Sequence, residues 1–198
     1  MNIDNTIVEG AKRLIEKAQQ IVITNHVGPD GDAMGSALGL REILRQLNKN
    51  ITVIVPNTYP KFLKWMKGDD EVLIFEEKRK QAEALLNEAD LIVHLDYNAL
   101  NRSGDMREVL QHASAERLVI DHHQQPEDFA NVLYSDTKMS STCEMVFHLV
   151  HALGWQKYIT KDAADCLYTG IMTDTGNFRF SSTTPVTHRA VAGLIESG

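Results

Sequence analysis

Cysteine is scarce in this sequence, and long apolar runs are absent. Only two of the 198 residues are cysteines, Cys143 and Cys166, and they form neither a CxxC pair nor a disulfide framework. We therefore expect a reducing compartment and interpret both thiols as small core residues. No apolar run is long enough to span a bilayer, and the first twenty residues lack the apolar core of a signal peptide. These absences predict a cytoplasmic protein with no membrane partner.

Basic residues are outnumbered by acidic ones. The chain has 20 Lys and Arg against 27 Asp and Glu, so its formal net charge is −7. This balance argues against a broad basic surface for long duplex DNA or an anionic membrane. A small phosphorylated substrate stays open, because bound metal ions could supply local positive charge.

Apolar segments of two kinds alternate along the chain. Continuous Val, Ile and Leu runs predict strands, and stripes of apolar residues at helical spacing predict helices. No internal repeat or low-complexity linker interrupts the pattern. We expect one α/β domain over residues 1–198, with a mainly parallel β-sheet covered by helices on both faces. The predicted strands are residues 21–24, 51–55, 72–75, 91–95, 117–120 and 132–134, and the predicted helices are residues 5–19, 33–47, 78–88, 141–153, 161–172 and 185–197.

Acids and imidazoles follow three of the predicted strands directly. In a parallel sheet the carboxyl ends of the strands share one edge, where ligands bind. A turn would explain any one of these polar groups, but it explains the whole set poorly. A fifth acid follows a predicted helix near the end of the chain. The residues are His26, Asp30, Asp32, Asp96, Asp121, His122, His123 and Asp174.

Carboxylates clustered at one edge would repel each other unless cations neutralised them. Four Asp and two neutral His carry a charge of about −4, which two divalent ions would balance. Oxygen and imidazole ligands without thiolate suit Mn²⁺, with Mg²⁺, Fe²⁺ or Co²⁺ as alternatives. Two such ions, about 3.5 to 4 Å apart, can hold a hydroxide for in-line attack on a phosphoryl group.

Four segments of the sequence carry a family resemblance. The segments NHVGPDGDAMGS, LIVHLDYNALNRSG, VIDHH and GIMTDTGNFRFSSTTPVTH resemble, in this order, the four motifs of the DHH phosphoesterase superfamily. The last segment is most similar to the oligoribonuclease and pAp phosphatase branch, also called nanoRNases. The manganese-dependent inorganic pyrophosphatases of the same superfamily are less similar there.

The resemblance implies a role for each polar residue. One Mn²⁺ would be held by His26, Asp30 and Asp96. The second would be held by a set in which Asp96 bridges both ions: Asp32, Asp96, His122 and Asp174. His123 would face the scissile phosphate as an acid or as a charge stabiliser. We expect Asp121 to orient a ligating imidazole.

The resemblance also implies a reaction and a missing partner domain. Short RNA would be hydrolysed to 5′-mononucleotides, and pAp to AMP and phosphate. Inorganic pyrophosphate, a cyclic dinucleotide, or a non-catalytic nucleotide-binding role are the alternatives. A C-terminal substrate-binding domain of the DHHA1 type has no counterpart in these residues, so we expect a fragment of a longer protein. The oligomeric state stays open, with a homodimer as one alternative.

Several further residues have two interpretations each. Arg102 could contact a substrate phosphate or form a surface salt bridge. Gly31 could permit an unusual backbone angle, and Gly35 could allow close packing of a helix on the sheet, or both could be ordinary turn and packing glycines. Ser141 and Glu144 match a capping box at a helix start, which could also meet a phosphate.

Three other features are weaker candidates. Arg179 could contact a phosphate. Glu144, His148 and His151 share one helix face, but we expect a solvated or partly buried face there and not a metal site. The aromatic and lysine residues of the segment YPKFLKWM could stack on nucleobases, although a short helix facing the core is the favoured interpretation.

Overall fold

A six-stranded, wholly parallel sheet forms the centre of the protein. The computed structural model describes residues 3–198. The strand order is β3-β2-β1-β4-β5-β6, and every neighbouring pair is parallel. The predicted α/β class is therefore confirmed. The strands are β1 (Gln20–Thr24), β2 (Asn50–Val55), β3 (Leu73–Ile74), β4 (Leu91–Leu95), β5 (Glu116–Asp121) and β6 (Val132–Ser135).

Within residues 3–198, seven α-helices surround the sheet. Six were predicted, with ends that differ by a few residues at most. The 3₁₀ helix Leu100–Met106 and the short α4 that follows it were not. Met106 caps α4 without a side-chain hydrogen bond, and Leu110 is its one buried residue, so the sequence there shows little helical pattern. The helices are α1 (Asn5–Lys17), α2 (Gly31–Arg45), α3 (Arg79–Glu88), α4 (Arg107–His112), α5 (Thr142–Ala152), α6 (Lys161–Asp174) and α7 (Pro185–Glu196).

Both faces of the sheet are buried, which explains the continuous apolar strands. Successive strand residues point to opposite faces. In β1, Ile21 and Ile23 pack into a core with α1, α2, α5, α6 and α7, whereas Val22 packs into a second core with α3 and α4. Cys143 and Cys166 are fully buried, as predicted. Within residues 3–198, every helix falls short of the length and apolar character needed to cross a bilayer.

Glycines let α2 pack closely against α6. A Cβ atom on Gly35 would lie 2.5 Å from the backbone oxygen of Cys166, so this glycine serves helix–helix packing and not packing on the sheet. A Cβ atom on Gly31 would lie 2.2 Å from the Thr173 hydroxyl. The φ of Gly31 is not positive, so of our two interpretations the packing glycine is right and the unusual backbone angle is wrong. This packing places the start of α2 beside the end of α6.

Candidate metal centre

The site lies where the strand order reverses. The chain passes from β1 outward to β2 and β3 and then returns to β4 on the other side of β1. A crevice opens at such a point beyond the carboxyl ends of the strands. His26 follows β1 by two residues, Asp96 directly follows β4, and Asp121 is the last residue of β5. The topology thus brings together side chains that are far apart in the sequence.

The start of α2 supplies two carboxylates. Asp30 is the N-cap residue, and its Oδ1 accepts hydrogen bonds from the backbone N–H groups of Asp32 (2.9 Å) and Ala33 (3.0 Å). Asp32 lies in the first helical turn and is buried. The Asp-Gly-Asp spacing therefore follows from a helix cap and its first turn. The positive end of the helix dipole favours both negative charges.

Asp174 reaches the same place from the end of α6. It is the last residue of that helix. A Cβ atom on Gly170, one turn earlier, would lie 3.0 Å from Oδ1 of Asp32. The glycine contacts between α2 and α6 therefore bring Asp174 into the cluster. A prediction from strand ends alone could not place this residue, because it follows a helix.

In residues 3–198 the ligand atoms form three sets, which are linked through Asp96 and His122. His26, Asp30 and Asp96 make the first set, and their ligand atoms lie within 4.8 Å of one another. Oδ2 of Asp96 is 3.3 Å from Nε2 of His26, and its Oδ1 is 3.5 Å from Nε2 of His122. Asp96 thus offers one oxygen to each side. The second set, also within 4.8 Å, is Asp32, His122 and Asp174. A third set, Asp96, His122 and His123, links the other two.

Backbone carbonyls orient both of these imidazoles. Nδ1 of His26 lies 2.9 Å from the oxygen of Val27, and Nδ1 of His122 lies 3.3 Å from the oxygen of Met139. A proton on Nδ1 satisfies each contact and leaves Nε2 directed at the carboxylates. Metal-ligating histidines are commonly fixed in this way.

The acids and imidazoles perturb each other strongly. Burial raises the pKa of Asp32 well above its ordinary value, and repulsion from Asp96 and Asp174 adds to this. Burial also raises the pKa of Asp174, to about 6. Burial opposes the charge of His122, but hydrogen bonding to Asp96 and attraction to the surrounding acids outweigh it and raise the pKa of His122 to about 9. The metal-free cluster therefore holds protons that a cation would displace.

Asp96 differs from Asp32 and Asp174, because its pKa is lowered and not raised. Burial opposes its ionisation, yet hydrogen bonds from His122 and His26 outweigh burial and keep the pKa of Asp96 well below its ordinary value. Its backbone has a φ of 63°, in the left-handed region that Asp tolerates better than most residues. Such strain at a sheet edge is typical of functional positions.

The donor set fits divalent ions. It consists of carboxylate oxygens and imidazole nitrogens, without a thiolate, and each set contains at least one imidazole. Mn²⁺, Fe²⁺, Co²⁺ and Mg²⁺ accept such ligands. The raised pKa values of Asp32 and Asp174 show that the surrounding protein supplies too little positive charge to keep both of these carboxyl groups ionised. Bound cations would supply that charge.

Residues 20–171 match the family described as "DHH family, N-terminal domain". The chain belongs to the DHH family. The match includes the first five expected ligands and ends before Asp174. Asp174 is therefore included in the cluster because of its position in the structure, and not because of this match.

Two individual proteins are similar to this chain over most of its length. The chain is 35% identical over 178 residues to a Thermus thermophilus protein named bifunctional oligoribonuclease and PAP phosphatase NrnA, covering 90% of this chain and 50% of that protein. An exopolyphosphatase-related protein of Bacteroides fragilis superposes with a TM-score of 0.97 at 40% identity, covering 99% of this chain and 58% of that one. The chain thus spans about half the length of these relatives. The resemblance to the oligoribonuclease and pAp phosphatase branch is confirmed.

A more distant structure shares the DHH fold. The exonuclease RecJ, solved bound to manganese, superposes with a TM-score of 0.61 at 17% identity, covering 97% of this chain and 48% of that one. At this identity the likeness concerns the fold alone.

In the DHH triplet, Asp121–His123, the contacts of Asp121 differ from our expectation. Asp121 is buried and accepts hydrogen bonds from the backbone N–H (2.8 Å) and from Nδ1 (2.7 Å) of His123. Asp121 therefore orients His123, which we did not expect to be a ligand. His122 is oriented by the Met139 carbonyl instead. Nε2 of His123 lies 3.4 Å from a guanidinium nitrogen of Arg102. Arg102 is thus placed in the site and not in a surface salt bridge.

The helix start at Ser141 is only partly the predicted capping box. The Ser141 hydroxyl accepts from the Glu144 N–H at 3.1 Å, as predicted. The Glu144 carboxylate, however, bonds to Ser140 and to the Thr187 hydroxyl and not to the N–H of Ser141. His148 lies 3.5 Å from the same carboxylate. Within residues 3–198 the groups of His, Asp and Glu that could hold a metal ion do not include this helix face.

Two remaining candidates lie outside the cluster. In the segment YPKFLKWM, Tyr59, Leu63 and Met66 are buried, so the core interpretation is right for them. It is wrong for Phe62 and Trp65, which are 66% and 59% exposed. The exposed Arg179 donates from Nε to the Gly176 oxygen at 2.8 Å, within its own loop.

Proposed function

We propose that this chain is the metal-binding catalytic domain of a phosphoesterase. It hydrolyses short oligoribonucleotides to 5′-mononucleotides and pAp to AMP and phosphate. The observation that carries the proposal is a ligand set on each side of Asp96, which faces His26 with one oxygen and His122 with the other. The name of the Thermus relative supports these substrates. Both substrates contain phosphorus bonded to a ribose 3′-oxygen, so one site can serve both reactions.

We assign the ligands as the resemblance implies. His26, Asp30 and Asp96 hold one ion, and Asp32, Asp96, His122 and Asp174 hold the other. Mn²⁺ is the favoured metal, because carboxylate oxygens and imidazole nitrogens without a thiolate suit it. Two bound divalent ions would polarise the phosphoryl oxygens and lower the pKa of an attacking water.

The remaining side chains act on the substrate. Water adds to phosphorus and the bond from phosphorus to the 3′-oxygen breaks, so the leaving oxygen needs a proton. His123 supplies it from Nε2, because Asp121 accepts from Nδ1 and fixes the ring with Nε2 beside Arg102. The Arg102 guanidinium, next to His123, binds the substrate phosphate through its paired N–H groups.

A second domain completes the enzyme in this proposal. The chain spans about half of its relatives. We propose that a C-terminal substrate-binding domain follows in the whole protein and forms the other wall of the cleft. The free cysteines and the RNA substrates fit a cytoplasmic location.

A substrate panel tests the proposal. The longer protein, which includes the second domain, is given short RNA, pAp, pyrophosphate and a cyclic dinucleotide with Mn²⁺. We expect turnover of short RNA and pAp. Hydrolysis of pyrophosphate alone, or of the cyclic dinucleotide alone, would contradict it. No hydrolysis of any of the four would favour a non-catalytic binding module.

A further inference from the structure

The first turn of α5 contacts two of the carboxylates that we assign to the metals. The backbone N–H of Thr142 donates to Oδ2 of Asp32 at 2.6 Å, and that of Cys143 donates to Oδ1 at 2.8 Å. The Thr142 hydroxyl donates to Oδ1 of Asp96 at 3.0 Å. All four residues are buried. Thr142 therefore touches both carboxylates without being a ligand candidate itself.

The hydroxyl bond engages one oxygen of the carboxylate that lies between the two ligand sets. Oδ1 of Asp96, which accepts this proton, is the oxygen that faces His122, and Oδ2 faces His26. A hydroxyl on one oxygen holds the carboxylate plane so that each oxygen points to a different ligand set. Without this bond the carboxylate could rotate and offer both oxygens to one side.

The helix start is held in place independently of the Thr142 side chain. Ser141 caps the helix, and Glu144 bonds to Ser140 and to Thr187 of α7. The N–H bonds to Asp32 come from the backbone and survive any side-chain change. The position of α5 therefore does not depend on the Thr142 hydroxyl.

We propose that Thr142 is a positioning residue whose hydroxyl sets the orientation of the bridging Asp96 and thereby the affinity for the ion on the His122 side. The inference rests on the proposed function, because it assumes that the two ligand sets bind metal. Neighbours that orient metal ligands commonly contribute a factor of about 10 to 100 to metal affinity.

Binding of Mn²⁺ to the chain itself tests this role without an activity assay. Calorimetry and electron paramagnetic resonance of free Mn²⁺ are compared for wild type, Thr142→Val and Thr142→Ser. The valine keeps the branched shape and removes the proton donor. We therefore expect one of the two Mn²⁺ dissociation constants to rise by about 10-fold or more. The serine keeps the donor and should restore affinity to within about 3-fold of wild type.

A matched control separates this effect from a general effect of removing a buried hydroxyl. Thr169 is also buried, and its hydroxyl bonds only to the Asp165 carbonyl of its own helix. Thr169→Val should bind Mn²⁺ like wild type. If Thr142→Val does not fold, Thr142→Ala, which also lacks the donor, replaces it.

The outcomes distinguish the two proposals. Normal binding of two ions by Thr142→Val, or a loss that Thr142→Ser does not reverse, overturns the role of Thr142 alone. A wild-type chain that binds no Mn²⁺ overturns both this inference and the proposed function.

Discussion

At the level of single residues, the two ring nitrogens of His123 have clearly different surroundings. Nδ1 is fixed by the buried carboxylate of Asp121, and Nε2 lies in the open part of the site beside Arg102. The neighbouring His122 has the reverse surroundings, since its Nε2 lies within 3.8 Å of three carboxylates. Two adjacent imidazoles therefore receive different functions from what each nitrogen contacts.

This division predicts different effects for two substitutions. His123→Ala should lower kcat about 100-fold or more, because a general acid contributes at least that factor, while Mn²⁺ binding stays near wild type. Asp121→Asn should also lower kcat, by a smaller factor. Steady-state kinetics of the longer protein and Mn²⁺ titration of each variant measure both quantities. Loss of metal binding in His123→Ala would show that this residue is a ligand.

The protonation of the metal-free cluster predicts proton release on metal binding. His122, with its pKa raised to about 9, is protonated at pH 7.5, so an ion that takes Nε2 must displace a proton. Calorimetry in buffers of different ionisation enthalpy should show net release. Asp174, with its pKa raised to about 6, gains a proton as the pH falls through 6, so Mn²⁺ affinity should drop there. Affinity that is constant from pH 5 to 8 would contradict this protonation.

At the level of elements, the close packing of α2 and α6 makes the site possible. Asp32 lies on α2 and Asp174 lies on α6, so neither residue is positioned by the end of a strand. Gly35 faces the rigid backbone of α6, whereas Gly193 on α7 faces only the movable ring of Phe147. The two glycines therefore form a natural pair for comparison.

Gly35→Ala should destabilise the protein by about 1 to 3 kcal/mol, because the added methyl group must push the helices apart. It should also weaken Mn²⁺ binding, since Asp32 and Asp174 move with their helices. Gly193→Ala, whose neighbour can turn aside, should cost less and leave metal binding unchanged. Denaturant unfolding of the metal-free chain and Mn²⁺ titration test the pair. Equal effects of the two variants would argue against a link between helix packing and the site.

The sequence predicted some of these elements and not others, for physical reasons. The strands were predictable because burial on both faces makes them continuously apolar, and parallel topology then places His26, Asp96 and His122 at one edge. Thr142 was not predictable as a neighbour of Asp96, because a hydroxyl at a helix start looks the same whether it caps, packs or donates. The partner of Asp121 depended on which imidazole turned toward it, which spacing alone does not determine.

For the molecule as a whole, the metal centre joins segments from most of the chain. The ligands that we propose come from the ends of β1, β4 and β5, from the start of α2 and from the end of α6. Binding of ions should therefore stabilise the entire fold and not one loop. The acidic balance of the protein, with a net charge of −7, also favours cations over anions at this cluster.

Thermal unfolding should show this stabilisation. At a Mn²⁺ concentration of about 100 times the dissociation constant, one bound ion adds about 2.7 kcal/mol of stability. For a chain of this size each kcal/mol raises Tm by about 2 to 4 °C, so a rise of about 5 to 10 °C per ion is expected. EDTA should reverse the rise, and Asp96→Ala, which removes the ligand that both ions share, should abolish most of it. An equal rise in Asp96→Ala would place the stabilising ion elsewhere on the protein.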